Sequence, residues 1–276
     1  MVGVLNVTPD SFSDGGDFVE VDTAVRAGMS MHDQGAAFVD VGGESTRPGA
    51  QPVSAEEEMR RILPVIDGLA AAGVPVSVDT SKPSVARAAV EAGAGVINDV
   101  SGFENPQMAH VAAETGVGIV LMHMQGEPRT MQAAPTYGDV VAEVSTYLRE
   151  RAESVVSSGV APEAVVVDPG FGFGKTVRHN LELIAGLDRI AALGYPVMIG
   201  TSRKSTLAAL TGEQDPKQRD GHTAVTTALG YERGARVFRV HDVAGSRDAL
   251  QIAAAIVDPQ TWEKWQQDSN PGDSPG

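Results

Sequence analysis

The chain has 276 residues, 42% of them hydrophobic, and a formal net charge of -15; that length suits two small domains or one α/β barrel, with enough apolar material for a sizeable core. So acidic a chain argues against nucleic acid or an anionic membrane as partner, and an anionic substrate would need a local cluster of Arg and Lys working against the overall field. Cysteine is absent, which excludes a disulfide framework, a thiol nucleophile and a thiolate metal site; with no secretory leader and no apolar run of spanning length, a soluble cytoplasmic protein is expected.

The first apolar run, residues 2–5, ends at Asn6 and gives way to a polar loop rich in glycine and proline. Residues 22–34 read as a helix with Asp22 as N-cap and Gly35 as its stop. Residues 36–41 form the second strand, which runs into Gly42-Gly43-Glu44. After the loop Ser45-Thr46-Arg47-Pro48-Gly49 comes a helix capped by Ser54, whose Glu56, Glu57 and Glu58 complement the helix dipole rather than mark a metal site. The third strand, 74–78, ends at Asp79; a helix over 83–91 follows, then a strand ending at Asn98-Asp99, a helix over 106–114, and a strand over 117–122 ending at His123. A longer loop precedes a helix over 139–157 with Val140, Val141, Val144, Leu148 and Val155 at helical spacing.

The sixth strand, Ala164-Val165-Val166-Val167, ends at Asp168, where Pro169 stops the ladder. Gly170, Gly172 and Gly174 then alternate with Phe171 and Phe173 before Lys175, a pattern that turns the backbone and lets a flat ligand come close. It is not a phosphate-binding P-loop, because the position of that motif's first glycine is Pro169. A helix over 178–193 leads to a strand over 195–199 and the run Gly200-Thr201-Ser202-Arg203-Lys204; helical segments fill 205–232, the eighth strand covers 236–240 with His241-Asp242 beyond it, and the last helix covers 245–256. Eight strand-then-helix units without a linker predict a single-domain α/β fold, a (β/α)8 TIM barrel over residues 1–257. Residues 258–276 read as a disordered acidic tail, with Trp262 and Trp265 packing back onto the barrel.

In such a barrel all strand carboxyl ends meet on one face, which gathers Asn6, Glu44, Asp79, Asn98, His123, Asp168, Lys204, Arg239 and His241 at one mouth. Any one polar residue can simply end a strand; eight strands that all do so point to a site. Two chemistries emerge. Asp79, Asn98, Asp168 and Lys204 offer acceptors and donors for a planar heterocycle with amide and amino edges. Arg47, Arg239 and His241, with Asn6, suit phosphate oxygens, and a Mg²⁺ carried on a diphosphate could meet Asn6. For Arg239 the structural alternative is a pair with Asp242 or Asp168. His123 can be read as a general base or, more commonly, as a satisfied strand-end histidine.

At these residues the chain resembles the dihydropteroate synthases, a family of pterin-binding TIM barrels in folate biosynthesis. The resemblance rests on the stretch from Gly3 to Gly16, on Asp40 to Gly49, on Asn98-Asp99, on Met122 to Gly126, on Asp168 to Lys175 with His179-Asn180, and on Ser202-Arg203-Lys204 and Arg239-Val240-His241-Asp242. It spans almost the whole chain. It implies a homodimeric transferase that joins p-aminobenzoate to 6-hydroxymethyl-7,8-dihydropterin diphosphate by an SN1-like loss of diphosphate, and a target for sulfonamides. It further implies that Asn6 touches the Mg²⁺ on the diphosphate, and that Asp79, Asn98, Asp168 and Lys204 hold the pterin in a slot lined by Met122 and Phe173. Arg47, Arg239 and His241 would bind the diphosphate, and Thr46, Pro48, Phe12 and Ser202 would border the p-aminobenzoate site. Many members carry extra residues before the first strand, so a less covered barrel floor is expected here. A methyl-transferring relative would need neither the Ser45–Gly49 loop nor the Ser-Arg-Lys run, and a degenerate binding paralogue would be expected to have lost Arg47, Lys204 or Arg239; all of these are present.

Overall fold

The structure, a computed structural model, describes residues 1–8, 17–45 and 49–262. In chain order it places β1 (Val2–Asn6), α1 (Asp17–Asp33), β2 (Phe38–Gly42), α2 (Ala55–Ala71), β3 (Val76–Asp79), α3 (Pro83–Glu91), β4 (Ala94–Asp99), α4 (Pro106–Thr115), β5 (Gly118–Met122) and α5 (Val140–Ser157). There follow β6 (Val165–Asp168), α6 (Val177–Ala185), α7 (Leu187–Ala191), β7 (Val197–Ile199), α8 (Ser205–Thr211), α9 (Asp220–Glu232), β8 (Ala235–Val240) and α10 (Val243–Val257). The strands form one closed parallel barrel in sequence order. Closure is visible at Val2, which pairs with Phe38 on one side and Arg239 on the other, so no strand edge is left open.

The expected elements are present, with boundaries moved by packing. α1 starts at Asp17, ahead of the expected Asp22 cap. Val21 already packs against the core, and Asp22 is an exposed residue within the helix. Ser54 does cap α2, accepting from Glu57 N at 3.2 Å. The single helix expected over 178–193 is two, broken at Gly186, where α5 comes so close that a Cβ would meet Val141 Cγ2 at 2.9 Å. α8 ends at Gly212, whose φ of 80° suits a residue without a Cβ. Asp258 leaves α10 in an extended conformation. Trp262 stands 53% exposed rather than packed on the barrel, while Trp265 and the rest of the expected tail from 263 onward lie outside the described residues. Among the described residues no helix is long and apolar enough to cross a membrane.

The period-2 alternation of the strands divides the apolar core from the lumen. On β2, Val39 and Val41 are fully buried in the core cluster that also holds Ile62, Val65, Ile66 and Leu69 of α2. Asp40, between the two valines, points the other way: it reaches Arg239 of β8 across β1, which only a lumen-facing pair can do. Large apolar side chains therefore fasten the helices to the outside of the barrel, and the lumen's upper layer is left to polar ones. Ile66→Ala is expected to lower unfolding stability by about 2–5 kcal/mol through a cavity under α2, read as a shift of the denaturant midpoint at unchanged m-value; a shift of a few tenths of a kcal/mol would mean that α2 is not anchored there.

Candidate active site

The upper lumen is a small network of charges. Arg239 donates Nε to Asp40 Oδ2 at 2.6 Å and Nη2 to Asp79 Oδ2 at 2.8 Å. The same Asp40 oxygen accepts Asn98 Nδ2 at 3.0 Å. Asp40 and Asn98 are buried. Burial works against the Arg239 charge, but Asp40 and Asp79 outweigh it and raise its pKa. Burial pushes the Asp79 carboxyl up to about 7; Arg239 opposes this, and Asp40, Glu58 and Asp99 add to it. Asp79 therefore readily keeps a proton near neutral pH. Arg239 thus has partners other than the Asp242 or Asp168 considered from sequence. Asp242 instead caps α10, accepting from Gly245 N at 3.2 Å.

The glycine-rich loop after β6 forms the opposite wall. Asp168 is buried and its Oδ1 accepts Gly170 N at 2.7 Å; burial raises its pKa against the pull of Lys204, that N–H and Lys175. The loop's glycines have φ of 68°, 84° and 60° at Gly170, Gly172 and Gly174. Their freedom serves the protein's own backbone more than a ligand: a Cβ at Gly170 would run into the His123 carbonyl, and one at Gly174 into that of Gln125. Phe171 is a core residue at 2% exposure, so only Phe173 is available to the mouth. Lys204, the residue before α8, donates Nζ to Phe171 O and lies 4.5 Å from the centre of the Phe173 ring. Burial lowers its pKa to about 8 even though Asp168 favours its charge. Asn180 of α6 ties the loop to its neighbours, accepting Gly172 N at 2.8 Å and donating to Thr206 Oγ1 at 2.9 Å.

Lys175, to which sequence reading gave no site role, is buried beneath this loop. It donates to Phe173 O at 2.9 Å and to His123 O at 3.3 Å, and its Nζ lies 2.9 Å from His123 Nδ1. Burial lowers its pKa to about 7. Burial, together with Lys175, brings His123 to about 3. A neutral imidazole packed edge-on against Tyr147 at 4.9 Å is a satisfied strand-end histidine, not a general base.

Ser202 and His241 meet beside Arg239. Ser202 Oγ accepts His241 N at 3.1 Å and lies 2.9 Å from His241 Nδ1. A hydroxyl that accepts from the backbone still has its own proton to give to Nδ1, and in that tautomer the imidazole proton stands on Nε2. Arg203, which follows Ser202, has φ of 59° and turns outward to pair with Asp220 through two bonds of 2.7 Å; its strain lets Ser202 and Lys204 face inward on either side. At the other rim Lys82 joins Glu44 and the buried Glu58, and Glu44 Oε1 accepts Val53 N at 3.2 Å. This fastens the base of the loop after β2. A cavity of about 230 Å³ lies there, lined by Glu44, Ser45, Asp79, Val100 and Glu127 among others.

Of the residues singled out from sequence, Asp79, Asn98, Asp168, Met122, Phe173, Lys204, Ser202, Arg239 and His241 stand at the carboxyl ends of β3 to β8, and Asn6 ends β1. Phe12, Thr46, Arg47 and Pro48 lie outside the described residues. Sequence reading missed Asp40 as a member of the site. Its signal was present: one acid between Val39 and Val41 in a strand of otherwise apolar residues.

Residues 2–241 match the model of the pterin binding enzyme family. The chain is 44% identical over 258 residues to the dihydropteroate synthase of Escherichia coli (strain K12), covering 93% of this chain and 91% of that one. It is 47% identical over 266 residues to that of Mycobacterium leprae (strain TN), with 92% of each covered. Its structure is similar to that of Xanthomonas albilineans dihydropteroate synthase, with a TM-score of 0.88, 47% identity, and 93% of this chain and 92% of that one covered. The barrel, the acceptor-rich lumen and these likenesses agree: the chain belongs to the dihydropteroate synthase family of pterin-binding enzymes.

Proposed function

We propose that the chain is a transferase that joins 6-hydroxymethyl-7,8-dihydropterin diphosphate to p-aminobenzoate, giving 7,8-dihydropteroate and diphosphate in the cytoplasm. The observation that carries this reading is the set formed by the buried Asn98 and Asp168 and the half-buried Asp79, three acceptors converging with the Lys204 donor at one end of the barrel. A heterocycle with an amino group and ring N–H groups on one edge and a carbonyl on another satisfies such a set. Relatives supply the support from outside: the Xanthomonas albilineans enzyme has been solved with 4-aminobenzoic acid and with 7,8-dihydropteroate, that of Thermus thermophilus with 6HMPPP, and that of Yersinia pestis with a sulfonamide.

The chemistry follows from the reactants. The aromatic amine is neutral at pH 7 and is already a usable nucleophile, so no base need activate it. The hard step is departure of diphosphate from the pterin methylene, and donors on its oxygens stabilise the charge it takes away. His241 Nε2–H, Arg239 Nη1 and Arg47 are the proposed donors. Arg239 has its Nε and Nη2 already committed to Asp40 and Asp79, so it meets the anion from a fixed position. The methylene left behind is electron-poor, and the dihydropterin ring stabilises it with Asp168 nearby, which fits a dissociative, SN1-like route without a covalent enzyme intermediate. Lys204 is held to the Phe171 carbonyl and over Phe173, where it can donate to the ring's carbonyl edge. Thr46, Pro48, Phe12 and Ser202 would border the p-aminobenzoate, and a sulfonamide would compete there.

Among the described residues no group of three acidic or imidazole side chains could hold a resident metal. Asn6, a single neutral oxygen donor at the end of β1, fits a Mg²⁺ that arrives on the diphosphate and keeps most of its waters. When bound, that ion supplies charge neutralisation to the leaving group.

A homodimer is part of the proposal. Val177 and Leu181 of α6, Leu210 of α8, and Val225 and Leu229 of α9 are all exposed, and α6 packs against both α8 and α9, so these side chains lie on neighbouring helices on one side of the barrel. An exposed apolar face of that kind marks an interface. Leu229→Glu is expected to shift sedimentation from dimer to monomer; a parent protein that sediments as a monomer would remove the dimer from the reading.

Purified protein given the dihydropterin diphosphate, p-aminobenzoate and Mg²⁺ is expected to release 7,8-dihydropteroate, and Asp168→Asn to lower kcat/KM by about 100-fold, as expected for the loss of a buried charge-assisted acceptor. A folded parent without product would overturn the assignment. kcat/KM for the pterin diphosphate is also expected to fall as pH rises through about 8, where Lys204 loses its proton. A profile that stays level well above that pH would remove Lys204 as a charged donor.

A further inference from the structure

Asp40 has no assigned role, yet it holds both Asn98 and Arg239. Its Oδ2 takes both Asn98 Nδ2 at 3.0 Å and Arg239 Nε at 2.6 Å, while its Oδ1 is sealed from solvent without a partner. An ionised carboxylate only accepts hydrogen bonds. The Asn98 amide must therefore turn its nitrogen towards Asp40, and its Oδ1 stands on the opposite branch. That oxygen takes no hydrogen bond from the described residues and is not among the atoms closed off from solvent. Either orientation of an asparagine amide is sterically equivalent; here the carboxylate decides between them.

We propose that Asp40 is a positioning residue that sets the polarity of the heterocycle pocket: by fixing Asn98 as an acceptor towards the mouth and Arg239 in its place, it makes the pocket select a ring that offers an amino group over one that offers a carbonyl at the same position. This rests on the pterin reading of the site. Asp79 and Asp168 present acceptors as well, so a carbonyl facing Asn98 would meet an oxygen with no proton available. A site built to pair a substrate N–H discriminates strongly against an analogue that lacks it, because a buried polar group is then left unpaired. With a neutral amide at position 40 the Asn98 amide is free to rotate, and the discrimination is lost.

The test uses pterin, which is 2-amino-4-oxo, and lumazine, which is 2,4-dioxo, titrated calorimetrically into the full chain. The parent is expected to bind pterin at least tenfold more tightly than lumazine, and Asp40→Asn to bring the two within about threefold. Asn98→Ala, which leaves Asp40 and Arg239 paired, is expected to erase the preference in the same way, and it provides the answer if Asp40→Asn does not fold. Equal weakening of both ligands in Asp40→Asn with the tenfold ratio kept would make Asp40 a structural residue only and overturn the proposal, as would full preference in Asn98→Ala. A parent that binds lumazine as well as pterin also overturns it while leaving the pterin reading standing. A parent that binds neither overturns the pterin reading, and this proposal with it.

Discussion

One guanidinium between two carboxylates governs the mouth of this barrel. Arg239 comes from β8, Asp40 from β2 and Asp79 from β3, so the ion pairs cross the lumen and tie together strands from both sides of the closure. Charges in a barrel interior are expensive to desolvate. They persist because each is paired and because Asn98 supplies a further hydrogen bond to Asp40. The arrangement also makes the lumen sensitive to any change within it: loss of Arg239 would leave the buried Asp40 and the half-buried Asp79 without their shared cation, and Asp40 already has an oxygen without a partner. The result is a rigid, acceptor-rich floor beneath whatever enters the mouth.

The second wall is organised by a buried cation instead. Lys175 sits beneath the glycine-rich loop, donates to the carbonyls of Phe173 and His123, and lies within hydrogen-bond distance of the His123 imidazole. It joins the loop after β6 to the end of β5. Gly170 and Gly174 permit this because their backbones lie against the carbonyls of His123 and Gln125. With the loop held so closely, Asp168 and Phe173 have little freedom. The outward turn of Arg203 onto Asp220 positions Lys204 and Ser202 in the same way. Preorganisation of this kind lets donors and acceptors act on a developing charge without reorganising at the moment of reaction.

The residues around the mouth were legible in the chain to different degrees. Asp79, Asn98, Asp168 and His241 announce themselves because each ends an apolar run, and the barrel places all strand ends together. Lys204 and Ser202 follow from their short distance beyond β7. Asp40 was hidden inside a strand, where a reading that looks for polar residues at strand ends passes over it. Lys175 was hidden by its neighbours, since a lysine after glycines suggests a phosphate loop or nothing at all. Phe171 and Phe173 look alike in sequence, yet one is buried and the other stays partly exposed against Lys204; only the turn between them decides which.

The sequence by itself determined the class of fold, the number of repeating units and most of the positions that carry polar chemistry. Hydrophobic periodicity and strand-ending polar residues are local signals, and they survive without knowledge of distant neighbours. Tertiary structure decided which of those residues are partners. Whether Arg239 faces an anion or a carboxylate, which way the Asn98 amide turns, and whether His123 can take up a proton all depend on groups far away in the chain: Asp40 lies 199 positions from Arg239, and Lys175 lies 52 from His123. Desolvation and pairing act through space and are set only when the barrel closes, so the charges and orientations of the site belong to the fold rather than to any motif within it.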